Sequence, residues 1–167
     1  LRMNAAAAYT GPTFISDGIL QLTSSGITDS SPVTIGASGT LDINGTAANQ
    51  TETVGSLSGS GIVLNSGGSS KTLSLGTDNT STTFSGTFSG TGTNSFTKIG
   101  TGVQILTGTM AWTGGKNVNG GVLRFGADNV FNSTGTFTIA NGTAPAQVDL
   151  NGFDYTSAAI TFGGTSG

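Results

Sequence analysis

Tyr9-Thr10-Gly11-Pro12-Thr13-Phe14-Ile15-Ser16-Asp17-Gly18-Ile19-Leu20 returns as Trp112-Thr113-Gly114-Gly115-Lys116-Asn117-Val118-Asn119-Gly120-Gly121-Val122-Leu123, offset by 103 residues throughout. An aromatic-Thr-Gly start, a β-branched residue, a glycine, an aliphatic and a leucine survive the shift. A chain that repeats itself in this way is built from stacked layers and not around one specialised pocket. The match extends outward. Leu20-Gln21-Leu22 meets Leu123-Arg124-Phe125, Val33-Thr34-Ile35 meets Phe137-Thr138-Ile139, and Leu41-Asp42-Ile43-Asn44-Gly45 meets Val148-Asp149-Leu150-Asn151-Gly152 after a short insertion. One unit therefore runs from about residue 9 to 110, and a second, incomplete one from 112 to 167, within a single segment 1–167. Upstream, Met3 falls on Leu106 and Ala8 on Ala111, so the chain is expected to begin and end mid-repeat, without a signal peptide.

Glycine (29) with serine and threonine (49) makes up nearly half of the 167 residues, a mixture compatible with disorder. The apolar residues argue otherwise, because they alternate in short runs: Val33/Ile35, Leu41/Ile43, Ile62/Leu64, Leu73/Leu75, Val103/Ile105, Phe137/Ile139, Val148/Leu150 and Ile160/Phe162. Period-two alternation bounded by Gly, Asn and Ser is the signature of strands. No segment keeps the helical period. With five Lys and Arg spread along a chain of net charge −3, nucleic-acid binding is not expected. No apolar run reaches the roughly 18 residues that span a bilayer. Cysteine and histidine are both absent.

Between 14 and 16 short strands separated by turn residues fit a parallel β-helix of seven or eight rungs, about 35 Å tall at the usual strand spacing. Apolar residues then stack inward, and Thr, Ser, Asn and Gln face out. Asp17-Gly18, Asn44-Gly45, Asn119-Gly120, Asn141-Gly142 and Asn151-Gly152 supply positive φ at corners. An antiparallel β-sandwich is the competing fold.

Phe96-Thr97-Lys98-Ile99-Gly100-Thr101-Gly102-Val103-Gln104-Ile105-Leu106-Thr107-Gly108, followed by Trp112 to Leu123, resembles the passenger-associated transport repeat of autotransporter passengers. The stretches Leu41 to Gly45, Val54 to Gly61 and Ser81 to Gly92 are similar to the segment that links two such repeats. The resemblance implies a right-handed parallel β-helix found in large bacterial surface or secreted proteins and extracellular fibres. The first copy departs from the pattern at Pro12 and Phe14, which puts the local rung geometry in question.

Candidate chemistry is sparse. Without histidine no Ser-His-Asp arrangement exists. Glycoside cleavage needs two opposed carboxylates. Among the acids, Asp42, Asp149, Asp78 and Asp128 read as corner residues in local turns, and Asp154 beside Tyr155 as structural. No catalytic, cofactor or metal residue is assigned; the Asp-x-Asn-Gly corners lack the remaining ligands of a calcium loop. Lys98 reads as a solvated charge guarding an edge. Trp112 and Tyr9 share a repeat position and read as corner or capping residues, with sugar stacking the alternative. Thr82, Thr83, Thr87, Thr91, Thr93 and Thr97 are dense but irregularly spaced. A Thr-x-Thr ladder suited to a flat crystalline surface is therefore not expected.

The expectation is a non-catalytic extracellular structural or adhesive element, a stalk or fibre segment that self-associates through its end rungs. A carbohydrate-binding or carbohydrate-cleaving module is the alternative. Leu150→Asp is expected to unfold the second unit and Thr136→Asp to do little.

Overall fold

The computed structural model describes residues 1–5, 9–23, 26–44, 50–140 and 145–163, and among them there is no helix. After β1 (Arg2–Met3), the first rung is β2 (Thr13–Leu22), and the second carries β3 (Val33–Asp42) and β4 (Gln50–Val54). The third carries β5 (Leu57–Gly59), β6 (Ile62–Asn65) and β7 (Lys71–Leu75); the fourth carries β8 (Thr82–Phe84), β9 (Thr87–Gly90) and β10 (Ser95–Lys98). Two strands mark each later rung: β11 (Val103–Leu106) and β12 (Lys116–Val118), β13 (Gly121–Phe125) and β14 (Thr136–Ile139), β15 (Ala146–Asp149) and β16 (Ala159–Phe162). Among the described residues every pairing is parallel and joins one rung to the next, from 19 residues (Leu106 to Phe125) to 25 (Gly59 to Phe84) further along. The result is a parallel β-solenoid of seven rungs, as read from the sequence; the sandwich alternative would need antiparallel pairs.

Three faces wrap one core. The first contains β2 and β3 in their N-terminal halves, then β5, β8, β11, β13 and β15. The C-terminal halves of β2 and β3 continue into a second face with β6, β9, and the single bridging residues Met110 and Phe131. The third is the six-stranded sheet β4-β7-β10-β12-β14-β16. Alternation drives like residues on top of one another. On the second face Leu20, Leu41, Val63, Phe88, Met110 and Phe131 form one inward column, all buried. The upper rungs are filled by aliphatics. Lower down, Phe84, Phe88, Phe96, Phe125, Phe131 and Phe137 make a continuous tilted-ring stack, with neighbouring centroids 5.4–6.4 Å apart.

The corners are as specific as the faces. A Cβ on Gly86 would lie 1.9 Å from the carbonyl oxygen of Gly61, and one on Gly108 would lie 1.9 Å from that of Gly86. This column of glycines lets backbone stack on backbone where the chain turns from the first face to the second. Positive φ falls on Gly18, Gly152 and Asn151 as the turn dipeptides require, but at Asn119-Gly120-Gly121 it falls on Gly121 instead. Gly45 and the Asn141-Gly142 pair lie outside the described residues.

Two inward assignments from the sequence are reversed. In β6 and β11 the residues facing the core are Val63/Asn65 and Gln104/Leu106, while Ile62, Leu64, Val103 and Ile105 point away. Each run offers one wholly aliphatic frame and one with an amide, and the core takes the frame with the buried amide. Asn65 Nδ2 donates to Asn94 Oδ1 at 2.7 Å and Ser69 O at 2.7 Å; Gln104 Nε2 donates to Leu57 O at 3.2 Å and Ile105 O at 3.1 Å. Polar groups buried in pairs satisfy one another across rungs. Leu150 is also corrected: it follows β15 and is 41% exposed. Leu150→Asp therefore places its charge in solvent, and it is expected to shift the urea midpoint by no more than the exposed Thr136→Asp does.

Candidate functional surface

Lysine is where the structure departs furthest from expectation. Lys98 is not a solvated edge residue: it points inward and is only 1% exposed, with Lys71 and Lys116 similarly buried. The Lys98 ammonium donates to the carbonyls of Ile99 (2.5 Å), Gly120 (3.4 Å) and Gly100 (3.5 Å), closing the corner between the third and first faces from inside. Lys116 does the same one corner earlier, donating to Asn132 Oδ1 at 3.1 Å and to the carbonyl of Thr134. Loss of hydration pushes the Lys98 amine down to about 8, with Asp78 opposing the shift, and burial lowers Lys71 and Lys116 too. These cations are internal staples. No sequence signal separated them from surface lysines, because a lysine at an inward strand position looks like any polar interruption.

Glu52 also faces inward on the third face. Its Oε1 accepts the Ile27 amide at 2.8 Å, and its carboxylate fills the space a Cβ on Gly26 would take. Burial pushes its pKa up to about 7, with Asp29 adding to the rise. The fold thus prefers neutral Glu52 and neutral Lys98. Stability held in the protonated glutamic acid is lost as pH rises from its ordinary range through about 7. Stability held in the neutral amine is lost as pH falls from 10.5 through about 8. Urea midpoints are therefore expected to pass through a minimum between these values, rising toward both pH 5 and pH 9.5 as order-of-magnitude working points. In Glu52→Gln the acid-side rise should shrink while the alkaline rise persists; an unchanged profile would exclude Glu52 as its source.

The acids of the corners act structurally. Asp78 Oδ1 accepts Thr80 N at 3.0 Å and Asp149 Oδ1 accepts Asn151 N at 2.9 Å, both local turns as expected. Asp42 and Asp128 instead bond between rungs, Asp42 with Gln21 (2.8 Å) and Ser66 (2.7 Å), and Asp128 with Asp154 N (2.8 Å). Arg124 pairs with Asp149 at 2.7 Å. Among the described residues no group of three or more His, Cys, Asp or Glu is gathered to hold a metal ion. Trp112 is buried, stacked 4.8 Å from Phe88 with its indole donating to Ser89 O at 2.8 Å, so it caps a corner and offers no face to a sugar. Its counterpart Tyr9 stays partly exposed and bonds Thr13 Oγ1 at 2.6 Å.

Two kinds of surface remain. At the first rung Tyr9, Phe14, Ile19 and Leu1 line a cleft of about 510 Å³, and Phe14 is 69% exposed; on the last rung Ile160 and Phe162 are open, Phe162 at 74%. The second is the outer side of the third face. Register there runs through six strands with no bulge, and it stacks Thr53, Ser74, Thr97, Asn117, Thr138 and Thr161 in one column. Beside it stand Thr51, Thr72 and Ser95, and further down Thr136 above Ala159. Thr-x-Thr itself stands in two of the six strands, Thr51/Thr53 and Thr136/Thr138, so the face carries a mixed column of Thr, Ser and Asn and not a regular Thr-x-Thr ladder. Spacing along the sequence is irregular because corner lengths vary, yet strand pairing removes the irregularity.

Residues 1–22 and 96–125 match the passenger-associated-transport-repeat family. The chain is a parallel β-solenoid, and two of its segments are similar to a passenger-associated transport repeat. Over 88 residues, 53% of the chain, it is 38% identical to the adhesin BmaC autotransporter of Brucella suis biovar 1 (strain 1330), and it spans 2% of that protein. No solved structure matches it.

Proposed function

We propose that this chain is a non-catalytic segment of an extracellular bacterial passenger, a stiff element that displays surface for adhesion. The relative bearing the name adhesin and the shared passenger repeats support this reading. The observation that carries it is the use of the chain's charges: Lys98, Lys116 and Glu52 are spent closing corners, and the outer third face has none. An acid with a raised pKa is a common mark of catalysis, but here Glu52 holds a loop amide. The end rungs expose apolar side chains, Phe14 and Ile19 on the first, whose edge from Ile19 to Thr23 pairs with residues 1–3, and Ile160 and Phe162 on the last. An unpaired edge accepts a further rung, from the same chain or from another copy.

Self-association is tested by sedimentation over a wide concentration range, with electron microscopy of the same samples. Rods that lengthen with concentration, and stop lengthening in Phe162→Lys, are the expected result. A species that remains one chain throughout would remove end-to-end assembly. Adhesion is tested separately, by displaying the chain on cells that lack other adhesins and counting attachment.

A further inference from the structure

We propose that the outer side of the third face binds the surface of ice. This goes beyond the adhesive reading and does not depend on it. The face is a two-column array of Thr, Ser and Asn, with rows about 4.8 Å apart between rungs and columns about 6.6 Å apart along each strand. Its complete column is Thr53, Ser74, Thr97, Asn117, Thr138 and Thr161. No outward position of these strands is charged or aromatic.

The state of the hydroxyls is the second observation. Elsewhere outward hydroxyls bond one another, as Thr34 does Ser58 at 2.9 Å. On the third face, among the described residues, none of the Thr, Ser or Asn side chains of the two columns has a hydrogen-bond partner in the protein. Ser74 is the clearest case. It is only 6% exposed, recessed between Thr53 and Thr97, yet its hydroxyl is unpaired and directed out of the sheet. The hydroxyl still reaches solvent, so water is its partner in the free chain.

Three physical points identify that partner. Threonine is stiff at χ1, so rows of it present methyl and hydroxyl groups already ordered, and little rotamer freedom is lost on contact. Sugars are commonly held by aromatic platforms and ionic or amide forks, and neither charge nor aromatic ring stands on this face. An uncharged column of four threonines, a serine and an asparagine at one fixed spacing, flanked by a second, interrupted column, matches an uncharged lattice of water oxygens along the solenoid axis. The spacing of oxygen rows in ice is close to that between strands.

The test is ice growth observed in a nanolitre osmometer with the whole 167-residue chain. Faceted crystals and a gap between melting and freezing are expected. In Thr97→Tyr, which sets a bulky ring in mid-column, the gap should fall roughly tenfold or more, as for loss of a central contact. Thr83→Tyr, at an exposed position of the first face, should retain it. Thermal unfolding is followed in parallel, and Thr138→Tyr replaces Thr97→Tyr if the latter does not fold. Ice growth unaffected by the folded chain would overturn the proposal, as would equal losses in the two tyrosine variants. Sedimentation with crystalline cellulose while ice grows freely would assign the face to a polysaccharide instead.

Discussion

Gly86→Val abolishes cooperative folding of the central rungs. A Cβ at this position meets the carbonyl oxygen of Gly61 at 1.9 Å and the ring of Phe84 at 2.6 Å. The first contact is backbone on backbone, so no rotamer relieves it; the rungs must separate, breaking parallel pairs such as Thr87 N to Gly61 O, 3.0 Å. Overpacking alone costs about 1–3 kcal/mol, and here broken ladder bonds add to it. Against the total stability of a domain, about 5–15 kcal/mol, the loss is decisive. Far-UV circular dichroism with urea should show no cooperative transition, or one at a much lower midpoint. The matched change Ser85→Val, at an exposed neighbour, should leave the transition in place.

Phe88→Ala has the second largest effect. Phe88 is fully buried and touches three aromatic rings, Phe84 at 5.7 Å, Phe96 at 5.9 Å and Trp112 at 4.8 Å. It stands in the fourth of seven rungs, so the cavity opens where no end can collapse to fill it. Truncation of a buried phenylalanine costs about 3–5 kcal/mol. Because each rung contacts only its neighbours, the loss is also local. Hydrogen exchange should quicken most in β6, β9 and the strands around Met110, less in β2 and β3. A uniform increase from β2 to β16 would show that the solenoid opens as one unit.

Much of the fold is legible in the sequence because a strand's two-residue period reports directly on its faces. Val33/Ile35, Leu41/Ile43 and Leu73/Leu75 face the core as their spacing says. Legibility fails in Ile-Val-Leu-Asn and Val-Gln-Ile-Leu, where the wholly aliphatic frame faces out, since buried Asn65 and Gln104 choose the frame through partners one and two rungs away. It fails for Lys98 and Lys116 for a related reason: their partners are corner carbonyls, and main-chain acceptors leave no mark in a sequence. The mixed Thr, Ser and Asn column of the third face was hidden differently. Thr53, Ser74, Thr97, Asn117 and Thr138 lie 20 to 23 residues apart, and only the pairing of strands brings them into line. The repeated segment shows the same effect. Residues 13–21 turn from the first face to the second, while 116–124 turn from the third to the first. What recurs at an offset of 103 is a corner with its flanking strands.

The glycine column at the first corner bears on how such a chain changes over generations. Each of these glycines is fitted to the carbonyl of its predecessor one rung earlier, so a point substitution meets an obstacle that the neighbouring rung cannot move. Duplication of an entire rung meets none, because the copy brings its own glycine and sets it on an identical carbonyl. Length is then a freely heritable variable while corner chemistry is not, and a gene encoding this architecture can grow by whole rungs with every intermediate still folding.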